Sequence, residues 1–166
     1  MVPAPTGFVK LSVDGSFSTK DNSAGSGMIL RDASGATIFA ACRSLMDCSS
    51  PLEAELRACD EGLKLTRQHS QLPVIIESDS SILVEAVNSS TPDRSAFHYL
   101  VKDILAVASL DSPCSFVKVC RSQVRVSDAL ASYARVQSRT MTWLGLGPEC
   151  IHRLLALDNI VTPPVE

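Results

Sequence analysis

Asp14, Glu55, Asp79 and Asp128 are four acids whose settings set them apart from ordinary solvated charges. Asp14 closes a short alternating run and is followed by Gly15 and Ser16. Asp79 follows the apolar run Val74-Ile75-Ile76 and precedes Ser80. Strand ends beside a crossover are where open sheets place ligands, although an Asp before a helix also serves as an ordinary cap. With Leu52 at zero and about 100° per residue, Leu56, Cys59 and Leu63 fall within about 40°, and Glu55 lies about 60° away. On the same wheel Glu53, Asp60 and Glu61 stand roughly 80° to 180° off, so Glu55 is the acid aimed inward. A carboxylate there is costly unless paired or metal-bound. Asp128 lies off the Ala129-Leu130-Tyr133 stripe of its own helix, in a first turn where the helix dipole alone favours an acid. Acids converging without Lys or Arg partners repel one another, and a divalent metal such as Mg²⁺ relieves that repulsion.

Other chemistries find little support. Neither Gly-x-Ser-x-Gly nor a Cys with an evident His partner occurs, so hydrolysis by a serine or cysteine nucleophile is not expected. Cys42/Cys48 and Cys114/Cys120 are each separated by five residues, wider than the spacing of zinc ligands, and all six cysteines read as reduced thiols. His69, His98 and His152 read as surface or partly packed residues, and the few aromatics read as core.

The elements that must position the acids follow from periodicity. Phe8 to Asp14 alternates apolar and polar, which predicts a strand with one buried face that sets Lys10, Ser12 and Asp14 opposite Val9, Leu11 and Val13. Gly25 to Arg31 and Ala36 to Arg43 continue it as an antiparallel meander, turning at Asp32-Ala33-Ser34-Gly35. Ser49-Ser50 and Pro51 open a long helix. Pro73 to Asp79 reads as a strand buried on both faces, Ser80 to Val87 and Ala96 to Ala108 as helices, Cys114 to Cys120 as a strand and Val126 to Gln137 as a helix. Met141 to Gly145 fits either a small added strand or an ordered tail, and Thr162-Pro163-Pro164 ends the fold. A helix between the third and fourth strands predicts a right-handed crossover and a mixed sheet.

The chain has 166 residues, 45% hydrophobic and 20% charged, enough for one domain with a substantial core. Apolar runs never reach the roughly 18 residues of a membrane span, and Met1 to Gly7 has no signal-peptide pattern. An intracellular protein of nucleus or cytoplasm, monomeric and not secreted, is the expectation. The net charge of −3 conceals an asymmetry: between Ser112 and Pro148, Lys118, Arg121, Arg125, Arg135 and Arg139 face Asp128 alone. A basic end on an acidic body suits a polyanion, and a solvated helix face has the same composition.

The order strand-Asp14-Gly15-Ser16, then Ala54-Glu55-Leu56-Arg57-Ala58 on a helix, then Ile76-Glu77-Ser78-Asp79-Ser80 at a strand end, then Val126-Ser127-Asp128-Ala129-Leu130-Ala131 on a late helix, resembles type 1 ribonuclease H. More narrowly it resembles the plant reverse-transcriptase-like domains of retroelement-derived proteins, over about Phe8 to Ser138. The resemblance implies an α/β ribonuclease H-like fold: a five-stranded mixed sheet, three-strand antiparallel meander plus parallel strands, flanked by helices. With it goes the expectation of a leader over 1–7, the domain over 8–138 and a C-terminal extension over 139–166 that packs on the domain or trails it. It further implies that Asp14, Glu55, Asp79 and Asp128 hold two Mg²⁺ ions, with Mn²⁺ as a substitute, and cleave the RNA strand of an RNA/DNA hybrid. Gly15, Ser16, Lys118, Arg121 and Arg125 are the expected nucleic-acid contacts.

The chain departs from the family pattern at definite places. The loop before Asp128 has no His, since none lies between His98 and His152, and Arg121 is the nearest polar residue to that place. Val124 stands where an Asn is usual, and Ser50, Pro51 and Leu52 replace substrate-contacting amides. The interval Ser89 to Ser112 carries only Arg94 and Lys102 against Asp93, Asp103 and Asp111, so the basic handle of some bacterial members is not evident. The missing His and handle support the alternative of a domain that binds nucleic acid or a protein partner without hydrolysis, whereas the presence of all four acids favours the endonuclease. An exonuclease or integrase of the same general fold is a third reading. The meander and the helical position of Glu55 favour ribonuclease H over it.

Overall fold

The computed structural model describes residues 1–91 and 95–160, the side chains of 159 and 160 excepted. Asp93, Arg94 and the Thr162–Pro164 segment lie outside the described residues. The chain order is β1 (Val9–Phe17), β2 (Ala24–Arg31), β3 (Thr37–Leu45), α1 (Pro51–His69), β4 (Val74–Ser78), α2 (Ser81–Asn88), α3 (His98–Ala108), β5 (Cys114–Lys118), a short 3-10 turn (Arg121–Gln123), α4 (Arg125–Gln137), β6 (Met141–Leu144) and α5 (Glu149–Ile160). The sheet runs β5-β4-β1-β2-β3-β6. β1, β2 and β3 form the antiparallel meander, while β4 lies parallel to β1 and β5 parallel to β4.

The sheet has six strands, not five, because Met141–Leu144 pairs antiparallel with the outer edge of β3. Four residues with mixed exposure carry too little period-2 signal to separate an edge strand from a tail. The turn between β2 and β3 is held by Asp32, whose Oδ1 accepts from the Ser34 and Ala36 N–H groups at 2.9 and 3.0 Å. Gly35 supplies the positive φ of +86° that this turn requires.

Helix α1 starts where its chemistry directs. Ser50 Oγ accepts from the Glu53 N–H at 3.1 Å, and Pro51 occupies the first helical position. Its buried stripe of Leu56, Cys59 and Leu63 packs on Val9, Leu11, Val13, Met28 and Leu30. Glu53, placed off that stripe by the wheel, is nonetheless buried. Its Oε2 accepts from the Ser49 N–H at 2.8 Å and from Ser49 Oγ at 2.6 Å, bonds to a residue outside the helix that a wheel does not represent.

The opposite face of β1 differs from the expectation of a single buried face. Lys10, Ser12 and Asp14 are all buried, because α4 and the N-terminal residues cover them. Lys10 Nζ pairs with Glu77 Oε1 at 2.9 Å and donates to the Val2 carbonyl at 2.6 Å, which satisfies a charge that would otherwise be untenable there. The inward stripe of α4 is Val126, Ser127, Leu130, Ala131 and Ala134, rotated from the expected Ala129, Leu130 and Tyr133. Gly25 and Gly27 explain the rotation: a Cβ on Gly27 would stand 2.0 Å from the Ser127 carbonyl oxygen, and one on Gly25 would stand 2.3 Å from that of Ala131. The helix backbone therefore lies directly on β2 through its small residues, and Tyr133 turns to the rim beside Trp143 of β6.

Candidate active site

Three elements deliver three carboxylates to one end of the sheet. Asp14 sits within β1, Glu55 in the second turn of α1, and Asp79 in the link between β4 and α2. One carboxylate oxygen of each lies within 4.8 Å of the others. Asp14 is 6% exposed, and the Gly15 N–H donates to its Oδ1 at 3.0 Å. Asp128, in the first turn of α4, lies beyond this triad but close enough to Asp14 to raise its pKa, and it remains 39% exposed along its side chain.

Electrostatics follow from the crowding. Burial, then the Glu55 charge and its hydrogen bond, push the Asp14 carboxyl up to about 10, with Asp128 and Asp79 adding to the rise. Burial is also the main cause for Glu55, which is raised to about 7. Glu55 Oε2 is buried without a donor when all the acids are ionised, and a proton held on Asp14 is one way to supply one. A divalent cation is the other. Several carboxylate oxygens, one of them orphaned, form a hard-oxygen donor set that fits Mg²⁺ or Mn²⁺. The one cation paired with the four acids among the described residues is Arg121, whose Nη2 stands 3.9 Å from Asp128 Oδ1 and whose side chain is 80% exposed.

The other expected contacts divide into two groups. Gly15 is a packing residue in this fold, since a Cβ there would stand 2.5 Å from the Glu55 nitrogen. Ser16 Oγ accepts from Arg135 Nε at 2.9 Å, a partner that the sequence reading counted only as charge. Lys118 at the end of β5, Arg121 in the 3-10 turn and Arg125 at the start of α4 are exposed and close together in the chain, beside the helix end that carries Asp128.

A mixed sheet with its meander first, and acids from β1, α1 and the end of β4, is the arrangement of a type 1 ribonuclease H domain. Residues 12–134 match the reverse transcriptase-like family, and the chain belongs to that family, of the plant retroelement-like kind. An Arabidopsis thaliana protein named as a ribonuclease H protein is 29% identical over 154 residues, 93% of this chain and 25% of its own length. The chain thus spans about a quarter of that curated relative. The N-terminal ribonuclease H domain of a Mycobacterium tuberculosis protein has the same fold, with a TM-score of 0.71 at 20% identity over 77% of this chain and 98% of that one. A ribonuclease H1 isolated from compost, solved in complex with an RNA/DNA hybrid, gives a TM-score of 0.69 at 18% identity over 78% of this chain and 98% of that one. No helix among the described residues is long and apolar enough to cross a membrane.

Proposed function

We propose that this chain is a metal-dependent endonuclease that hydrolyses the RNA strand of RNA/DNA hybrids. The observation that carries the reading is the meeting of Asp14, Glu55 and Asp79 within 4.8 Å, with a buried Glu55 oxygen that lacks a donor. Asp14, Glu55, Asp79 and Asp128 would hold two Mg²⁺ or Mn²⁺ ions. When bound, such a pair neutralises the acids and polarises a phosphate in an in-line displacement.

The chain's own residues supply the rest. The Gly15 N–H fixes the Asp14 carboxylate from one side, and α1 presses Glu55 against it from the other. Arg121 stands 3.9 Å from Asp128, in the loop where the family resemblance implies a His, and would meet a phosphate entering or leaving there. Lys118 and Arg125 extend that positive rim and hold phosphates of the hybrid without reading sequence. A hybrid bound by a solved relative of the same fold supports this choice of substrate. Residues 8–138 form the catalytic domain in this reading, followed by a C-terminal extension over 139–166. The protein acts as a monomer in nucleus or cytoplasm.

The alternative is a module that binds nucleic acid or a protein partner without hydrolysis, and the His-free loop before Asp128 favours it. A labelled hybrid incubated with Mg²⁺, Mn²⁺ or chelator separates the two. Metal-dependent cutting supports the enzyme, and metal-independent binding without cutting supports the module.

A further inference from the structure

The strand that carries Asp14 and the helix that carries Asp128 are joined by a buried hydroxyl pair. Ser12 Oγ and Ser127 Oγ are 2.9 Å apart, with Ser12 3% and Ser127 0% exposed. Ser12 lies two residues before Asp14, and Ser127 is the residue before Asp128. Ser127 Oγ donates to the Val124 carbonyl at 2.9 Å, which uses its only proton. Ser12 is therefore the donor of the pair. The same Val124 carbonyl accepts from the Asp128 N–H at 2.9 Å. A continuous chain of hydrogen bonds thus runs from β1 to the backbone of the fourth acid.

Among the described residues no other side-chain hydrogen bond ties the first turn of α4 to β1. Val124 occupies the capping position and offers no side-chain bond to the first turn. The Ser127 carbonyl is seated on Gly27, where any side chain would collide, so the helix cannot slide along β2 without losing that seat.

We propose that Ser12 and Ser127 are positioning residues that set Asp128 against Asp14 and so complete the metal centre. The inference rests on the carboxylate reading above, and it goes beyond it by assigning the placement of the fourth acid to two hydroxyls that touch neither metal nor substrate.

The experiment titrates Mg²⁺ and Mn²⁺ calorimetrically into the full chain and into Ser12→Ala, Ser127→Ala, the double variant and Asp79→Asn. Removing one hydroxyl leaves the other partly unsatisfied, whereas removing both leaves no orphan, so the double variant should melt close to the parent. Metal affinity should not recover with it. All three serine variants are expected to bind about 10-fold more weakly, the lower end of what outer-shell changes cost. Without metal, amide exchange in residues 126–129 of the double variant should rise about 10-fold while amides elsewhere stay unchanged. Recovery of metal affinity in the double variant, or unaltered exchange in that turn, overturns the proposal. Metal uptake that needs Asp79 but ignores both serines overturns it alone. A parent protein that takes up no metal overturns the carboxylate reading and this one together.

Discussion

Gly15 on β1 and Glu55 on α1 are in backbone contact: a Cβ at position 15 would come within 2.5 Å of the Glu55 nitrogen and 2.6 Å of the Ala54 carbonyl carbon. The missing side chain is what brings the second acid to the first. Gly15→Ala is expected to push α1 off the strand, costing about 1 to 3 kcal/mol as overpacking does. Metal affinity should fall in step, because Glu55 moves with the helix. Urea denaturation and calorimetry check both, and an unchanged midpoint would show that α1 yields without strain.

Stability without metal should fall as pH rises. Glu55 and Asp14 titrate near 4 when unfolded, but in the fold they are raised to about 7 and about 10. Between the unfolded and folded values the native state holds protons that the unfolded chain has released, so each step upward favours unfolding. Asp14→Asn removes the Asp14 share of that loss and is expected to raise the metal-free melting temperature at pH 8 more than at pH 4. The same protons must leave when metal binds, so metal affinity should increase over this range. A melting temperature independent of pH in both proteins would refute the coupling.

Glu53→Gln and Glu55→Gln separate structure from chemistry on one helix. Glu53 accepts two bonds from Ser49, so its variant should lose about 1 kcal/mol of stability, a typical capping contribution, and keep its metal affinity. Glu55→Gln should show the reverse, with metal binding and hydrolysis lost and the fold retained. Equal losses in both variants would mean that the acid aimed at the centre has been misassigned.

Lys118, Arg121 and Arg125 are exposed, and Arg121 stands 3.9 Å from Asp128. Changing all three to Ala should weaken hybrid binding and flatten the salt dependence by roughly 0.7 to 0.9 per lost phosphate contact in log K against log salt. Arg121→Ala alone should slow turnover at saturating hybrid with little change in affinity. An unaltered salt slope in the triple variant would place these charges in solvent.

The meander, the crossover and the stripe of α1 were legible because each is written in local periodicity, and the same logic located Glu55 from Leu52, Leu56, Cys59 and Leu63. Asp14 and Asp79 stood out as acids at the ends of apolar runs. Features that depend on distant partners were not legible. The polar face of β1 is buried because α4 lies over it, and α4 is turned as it is because Gly25 and Gly27 sit on a different strand. Glu53 is buried because Ser49, outside its helix, holds it. β6 is a strand only because the edge of β3 is there to receive it.

The most direct test is cleavage itself. Purified protein and its Asp79→Asn variant are incubated with an RNA/DNA hybrid labelled on both strands, in Mg²⁺, in Mn²⁺ and in chelator. Cuts within the RNA strand in either metal, an intact DNA strand, and no product with chelator or with Asp79→Asn are predicted. An RNA strand left whole in every condition, or cutting that persists in chelator or at the parental rate in Asp79→Asn from a preparation free of host nuclease, would contradict the account.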